Sequence, residues 1–227
     1  MFSGYPAAGL VIGILLAAAA AGAEWLFPPA VAAALLVGVS VLLTGAIHLD
    51  GLADCADAFY GRRDKETVLR ILKDPRIGTM GGAAIGLFLL LRAAAFVSLP
   101  PGILILALPV VSLFSRSTVL AAMRVLPYVR SDAGIISGRT ASRPGHGALA
   151  LCFIILSAVL LPIPVGAALI ACALFWRLSW KKIGGCTGDV LGATIEIGEV
   201  VLLLSITAQA RAGLSWGALF PLLNLLP

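Results

Sequence analysis

Charge is scarce in this chain. Asp, Glu, Lys and Arg together make up 12% of its 227 residues, about half the share of an average soluble domain. So few charges cannot cover the surface of a water-exposed globule, which excludes a soluble enzyme. The same scarcity excludes a disordered chain, which would be rich in charge and poor in apolar residues. Aromatic residues are also few, 7%, and none interleave with a basic stripe, so nucleic acid is not an expected partner. The cysteines Cys55, Cys152, Cys172 and Cys186 show no Cys-x-x-Cys spacing, and neither a zinc knuckle nor a disulfide frame is indicated. No positive charge precedes the first apolar stretch, so a cleavable signal peptide is not expected there. An internal repeat and the alternating pattern of a membrane barrel are both missing.

Apolar sequence is what the chain has in quantity. Hydrophobic residues reach 60% and the mean hydropathy is +1.06. A helix needs about 20 mostly apolar residues to cross a bilayer. Windows of that size predict seven spans, at about 6–23, 29–49, 80–98, 101–123, 146–161, 163–178 and 190–208. Leu214 to Leu226 reads as an incomplete eighth span or an interfacial helix. Pro28-Pro29, Pro100-Pro101 and Pro162-Ile163-Pro164 mark tight turns between antiparallel neighbours. The expected fold is all-α: a polytopic membrane helical bundle forming a single domain over residues 1–227.

Basic residues fall in alternate connections. Arg62, Arg63, Lys65, Arg70, Lys73 and Arg76 follow span two, Arg124, Arg130, Arg139 and Arg143 follow span four, and Arg177, Lys181 and Lys182 follow span six. The positive-inside rule places these three connections, and the N-terminus, in the cytoplasm. The net charge of +5 is largely this topology signal.

Acidic residues are more telling. Six of the eleven lie between Asp50 and Asp74, around His48-Leu-Asp50-Gly-Leu-Ala-Asp54-Cys-Ala-Asp57. The spacing i, i+4, i+7 puts Asp50, Asp54 and Asp57 within about 60° on one helix face. Stacked carboxylates repel, and a divalent cation would offset that repulsion. Mg²⁺ suits such a face, because it takes hard oxygen ligands and keeps positions for water and substrate phosphates. The alternative is a solvated face paired with the arginines that follow. His48 points away from the Asp50 face on an ideal helix, which suggests a packing or hydrogen-bonding role. Downstream, Lys73-Asp74-Pro75-Arg76-Ile77-Gly78-Thr79 offers Asp74 as a further metal ligand and Arg76, with free helix-start N–H groups, for phosphate.

A second polar island reads Gly184-Gly185-Cys186-Thr187-Gly188-Asp189, with Glu196 and Glu199 beyond it. It reads as a flexible loop that brings backbone N–H groups and one carboxylate to a ligand. Glu196 lies about two turns inside the bilayer, where an ionised group costs about 2.5–3.5 kcal/mol unless paired. Arg92 and Arg116, also within spans, are the available partners.

Three stretches together resemble one family. His48–Asp57, Leu69-Arg-Ile-Leu-Lys-Asp-Pro-Arg-Ile-Gly-Thr79 and Gly184-Gly-Cys-Thr-Gly-Asp-Val-Leu-Gly-Ala193 are similar to the signatures of adenosylcobinamide-GDP ribazoletransferases, or cobalamin-5′-phosphate synthases. The resemblance runs from about Tyr5 to Leu204, and it departs at Cys55, Leu72 and Pro75, where Thr, Met and Ser are usual. It implies a Mg²⁺-dependent enzyme of late vitamin B12 synthesis in the inner membrane, with its active site facing the cytoplasm. An α-ribazole or its 5′-phosphate would attack the cobinamide-bound phosphorus of adenosylcobinamide-GDP and release GMP. On that reading Asp50, Asp54 and Asp57 hold Mg²⁺ and Asp74 completes the site. Asp189 binds a second metal or acts as general base. Arg63 and Arg76, and Arg116 if its span lines the cavity, hold phosphate or the leaving GMP, while His48, Gly184, Gly185, Thr187, Gly188 and Glu196 support the site. The implied partners are the two substrates and membrane lipid, with a second copy of the chain or other late enzymes of the pathway as open alternatives.

Three other readings compete. A CDP-alcohol phosphotransferase would carry Asp-Gly-x-x-Ala-Arg, but here Asp54 follows Asp50-Gly-Leu-Ala where that pattern continues, and no matching Gly-x-x-x-Asp-x-x-x-Asp follows. An aspartate-rich prenyltransferase would carry two acidic motifs of closer spacing. An ion-coupled transporter would place its carboxylates mid-bilayer rather than at a helix end.

Overall fold

The computed structural model describes residues 4–129 and 144–213, and they form helices throughout. In chain order these are α1 (Tyr5–Leu26), α2 (Pro29–Thr44), α3 (Ile47–Phe59), α4 (Lys65–Ile71), α5 (Thr79–Ser98), α6 (Pro101–Val125), α7 (Pro144–Leu160), α8 (Pro162–Ile183) and α9 (Gly188–Arg211). Proline opens α2, α6 and α8 at the first helical positions. There its missing N–H costs no hydrogen bond and its fixed φ favours helix.

Six of the seven expected spans are single helices, and the second, 29–49, is broken between α2 and α3. Five of them (α1, α5, α6, α8 and α9) are long and apolar enough to cross a membrane, and α2 qualifies when joined to α3. The apolar part of α7, Ala148–Leu160, is shorter. Arg130, Arg139, Arg143 and the Leu214–Leu226 tail lie outside the described residues.

Span two ends earlier than its hydropathy suggests. Gly45 turns left-handed at φ 60° after Thr44, Ala46 follows at φ 59°, and α3 leaves at 91° to α2. A left-handed Ala costs about 1 kcal/mol, and the N–H groups of Gly45 and Ala46 bond back to Leu42 and Val41. The aspartate-bearing segment is therefore a separate helix set across the end of the bundle, rather than the last turns of span two.

α6 and α9 form the centre. α1 packs along α6 through Gly9 and Gly13, where a side chain would run into the backbone of Ser112 and Pro109. Two glycines four apart permit this close approach, which drives helix association when lipid removes the hydrophobic incentive. Leu10, Val11, Ile14, Leu87, Leu90, Ile170 and Leu174 face outward, as a lipid-contacting surface requires. α9 meets α3, α5, α6 and α8, so it joins the apolar interior to the end where α3 lies.

The intramembrane charges are paired as expected. Arg92 on α5 bridges Glu196 at 2.6 Å and Glu199 at 3.0 Å, and Arg116 on α6 also pairs with Glu199. Ser115 adds a hydrogen bond to Glu199 at 3.1 Å. Two cations thus balance two anions among three helices. Arg116 is committed to this buried pairing, so its expected role in holding phosphate has no support in its position.

Candidate active site along α3

α3 carries Asp50, Asp54 and Asp57 over about 10 Å of axis. Its first turns press on α9 at two glycines. An added β-carbon on Gly51 would stand 2.7 Å from the Asp189 carbonyl oxygen, and one on Gly192 would stand 3.3 Å from the His48 Cα. These contacts place Asp50 and Asp189, far apart in sequence, on one cavity of about 210 Å³ that His48, Tyr5, Gly188 and Gly192 also line. Asp189 sits in the first turn of α9, where the positive helix end favours a carboxylate. Thr187 caps the same helix by accepting from the Val190 N–H, and its hydroxyl donates to Asp189 Oδ2 at 3.1 Å. One side chain both starts α9 and orients its carboxylate.

His48 is among the residues that line this cavity, beside Asp50, and among the described residues its buried Nδ1 has no hydrogen-bond partner. Tyr5 was not legible as a site residue, since it begins α1 and belongs to none of the motifs.

A second cavity, of about 290 Å³, opens at the other end of α3 between Asp57, Arg63, Asp74, Arg76 and Gly78. Here Asp57 accepts the N–H groups of Gly78 at 2.7 Å and Gly81 at 2.9 Å. Arg63 donates to the Asp57 backbone carbonyl. Asp74 accepts from Arg76 Nε at 2.9 Å, Nη2 at 2.6 Å and the backbone N–H at 3.1 Å. Those bonds hold the Asp74 carboxyl down to about 2.

The acidic face is therefore divided. Asp50 belongs to the first cavity, Asp57 and Asp74 to the second, and half-buried Asp54 lies between them. Among the described residues, no three His, Cys, Asp or Glu side chains are grouped closely enough to hold a metal ion. The expected quartet of Asp50, Asp54, Asp57 and Asp74 is not gathered.

The Gly184–Cys186 stretch also differs from expectation. Gly184 ends α8 in the left-handed conformation at φ 78°, and a side chain on Gly185 would collide with the Pro127 carbonyl. Cys186 N–H donates to Pro127 at 2.8 Å, Val129 N–H donates to Cys186 at 3.0 Å, and Ser179 donates to the Gly185 carbonyl at 2.6 Å. These glycines fasten the end of α6 to the start of α9 and do not form a free ligand loop. Of the residues from Gly184 to Gly188, only Gly188 lines the first cavity.

A lipid-facing helical bundle with two carboxylate-bearing cavities along one helix defines a polytopic membrane protein with an enzyme-like site at one end. The cobalamin-5-phosphate synthase profile matches residues 1–207. A protein of Azorhizobium caulinodans, named adenosylcobinamide-GDP ribazoletransferase, is 39% identical over 222 residues, covering 91% of this chain and 83% of its own. Proteins of the same name from Chlorobaculum tepidum and Chlorobium phaeobacteroides are 37% and 36% identical, covering 93% and 88% of this chain and 87% and 85% of their own. No solved structure matches the chain. The chain belongs to the cobalamin-5-phosphate synthase family, and it is a membrane transferase of cobalamin synthesis.

Proposed function

We propose that this protein transfers the adenosylcobinamide phosphate group from adenosylcobinamide-GDP to α-ribazole or its 5′-phosphate. The ribazole hydroxyl oxygen forms a bond to the cobinamide-bound phosphorus, the bond from that phosphorus to the bridging oxygen breaks, GMP departs, and the hydroxyl proton passes to a base or to water. The observation that carries this reading is the convergence of Asp50 and Asp189 on one cavity from helices far apart in the chain.

Two carboxylates fit Mg²⁺, which is commonly held by one or two of them together with substrate phosphates. Asp50 and Asp189 would hold the ion, with Asp54 next along α3. Bound there, Mg²⁺ would neutralise the diphosphate and stabilise charge on the departing oxygen. Thr187 fixes the orientation of Asp189, and the Gly51 and Gly192 contacts fix its distance from Asp50. Arg63 and Arg76, about 10 Å further along α3, would hold the guanosine end of the leaving GMP. The basic connections support a cytoplasmic position for this end, on the inner face of the inner membrane.

The test is direct. Purified protein given adenosylcobinamide-GDP, α-ribazole 5′-phosphate and Mg²⁺ should release GMP and form the corrinoid product, and a chelator should stop it. Turnover undiminished by the chelator would remove the metal from this account, and no GMP would remove the reaction.

A further inference from the structure

We infer that Asp57 is a positioning residue: a latch that ties the start of α5 to the end of α3 and so builds the basic cavity, rather than a carboxylate that holds the metal. Both of its oxygens are engaged by backbone. Oδ2 accepts the Gly78 N–H at 2.7 Å and Oδ1 accepts the Gly81 N–H at 2.9 Å, across more than twenty residues of chain. Gly78 is the N-cap of α5 and Gly81 lies in its first turn, where N–H groups have no intrahelical partners, and a carboxylate answers both their hydrogen-bonding need and the positive helix end.

Room for this arrangement depends on glycine. A β-carbon on Gly78 would stand 2.5 Å from Asp57 Oδ1, and one on Gly81 would also collide with the carboxylate. The backbone of Asp57 takes part as well, since its carbonyl accepts from Arg63. Arg76 lies just before Gly78, held by Asp74. The two arginines of the second cavity are therefore mounted on either side of the Asp57–Gly78 contact. A residue so placed acts on the nucleotide half of the substrate through Arg63 and Arg76. This inference rests on the GMP-binding role proposed for that cavity.

The experiment has two arms, both on the full chain in lipid or detergent. In the first, hydrogen exchange is followed over residues 74–82 with and without Mg²⁺. The Gly78 and Gly81 amides should be protected equally in both conditions, and Asp57→Ala should abolish the protection. Gly81→Ala, which keeps Asp57 but crowds its carboxylate, should raise exchange in the same segment and serves if Asp57→Ala does not fold. Protection that needs Mg²⁺, or that survives Asp57→Ala, would overturn the latch.

In the second arm, Asp57→Asn keeps one acceptor oxygen. The KM for adenosylcobinamide-GDP should rise about tenfold, the loss of roughly one such contact, while the Mg²⁺ concentration for half-maximal GMP release stays within about twofold. A rise of about tenfold or more in that concentration, as losing a metal-supporting group produces, would make Asp57 a metal ligand after all. The exchange arm needs no substrate, so it judges the latch even if the wild-type chain releases no GMP.

Discussion

Gly51 of α3 lies directly against the backbone of Asp189 at the start of α9, so close that a β-carbon would meet the Asp189 carbonyl oxygen at 2.7 Å and its Cα at 3.0 Å. The obstruction is main chain and cannot rotate away. This contact sets how closely the backbones that carry Asp50 and Asp189 approach.

Gly51→Ala is therefore expected to push α3 off α9. A displacement near 1 Å in a reacting site costs about a hundredfold in rate, and the overpacking costs about 1–3 kcal/mol in stability. GMP release and thermal unfolding, measured on the same preparation, check both. Gly192→Ala meets His48 at 3.3 Å, and a smaller loss is expected there.

Thr187 separates capping from carboxylate orientation. Thr187→Val should lose about 1 kcal/mol of helix stabilisation together with the hydrogen bond to Asp189. Thr187→Ser keeps both functions of the hydroxyl and should retain most of the activity. Equal losses in the two variants would show that the hydroxyl is not what matters.

Within the membrane, the ion pairs rank their own substitutions. Arg92→Met removes the guanidinium that bridges both Glu196 and Glu199, whereas after Arg116→Met Glu199 keeps Arg92 and Ser115. Stranding a buried charge costs about 3–5 kcal/mol, so Arg92→Met should lower the unfolding temperature further than Arg116→Met. The reverse order would contradict this network.

How much of this could be read beforehand differs from residue to residue. The seven apolar segments, the proline turns and the pairing of Arg92 and Arg116 with the glutamates were legible, because hydropathy and the cost of unpaired intramembrane charge act locally. The 91° break at Gly45–Ala46 was not, since apolar residues run through it without a change in composition. Spacing put Asp50, Asp54 and Asp57 on one face, but the division of labour along that face depends on distant partners: Asp189 for Asp50, and the Gly78 and Gly81 amides for Asp57. Gly184 and Gly185 looked like a mobile ligand loop because the same residue type serves close packing, here against Pro127. At the start of α5, the glycines at 78 and 81 were the available sign that something approaches its first turn.

At the exposed turn before α5, the Asp74–Arg76 pair sets a pH expectation. The Arg76 guanidinium lowers the Asp74 carboxyl from 3.8 to about 2. The sign follows from the depressed value: the contribution is present above about 3.8 and is lost as pH falls towards about 2. Asp74 should add no inflection to the rate profile above pH 5, and Arg76→Gln should return its titration towards 3.8, followed by carboxyl NMR of labelled protein. An Asp74 titration unchanged by Arg76→Gln would contradict the pairing.

The most direct measurement is GMP release by the wild-type chain and by Asp50→Asn, Asp189→Asn and the double variant, each across a Mg²⁺ titration. If the two carboxylates serve one metal-assisted step, each single variant should lose about 10²–10³-fold, and the double variant should be little worse than either, as groups acting as a unit behave. Multiplied losses in the double variant, or an Asp189→Asn protein that turns over like wild type, would contradict a shared site.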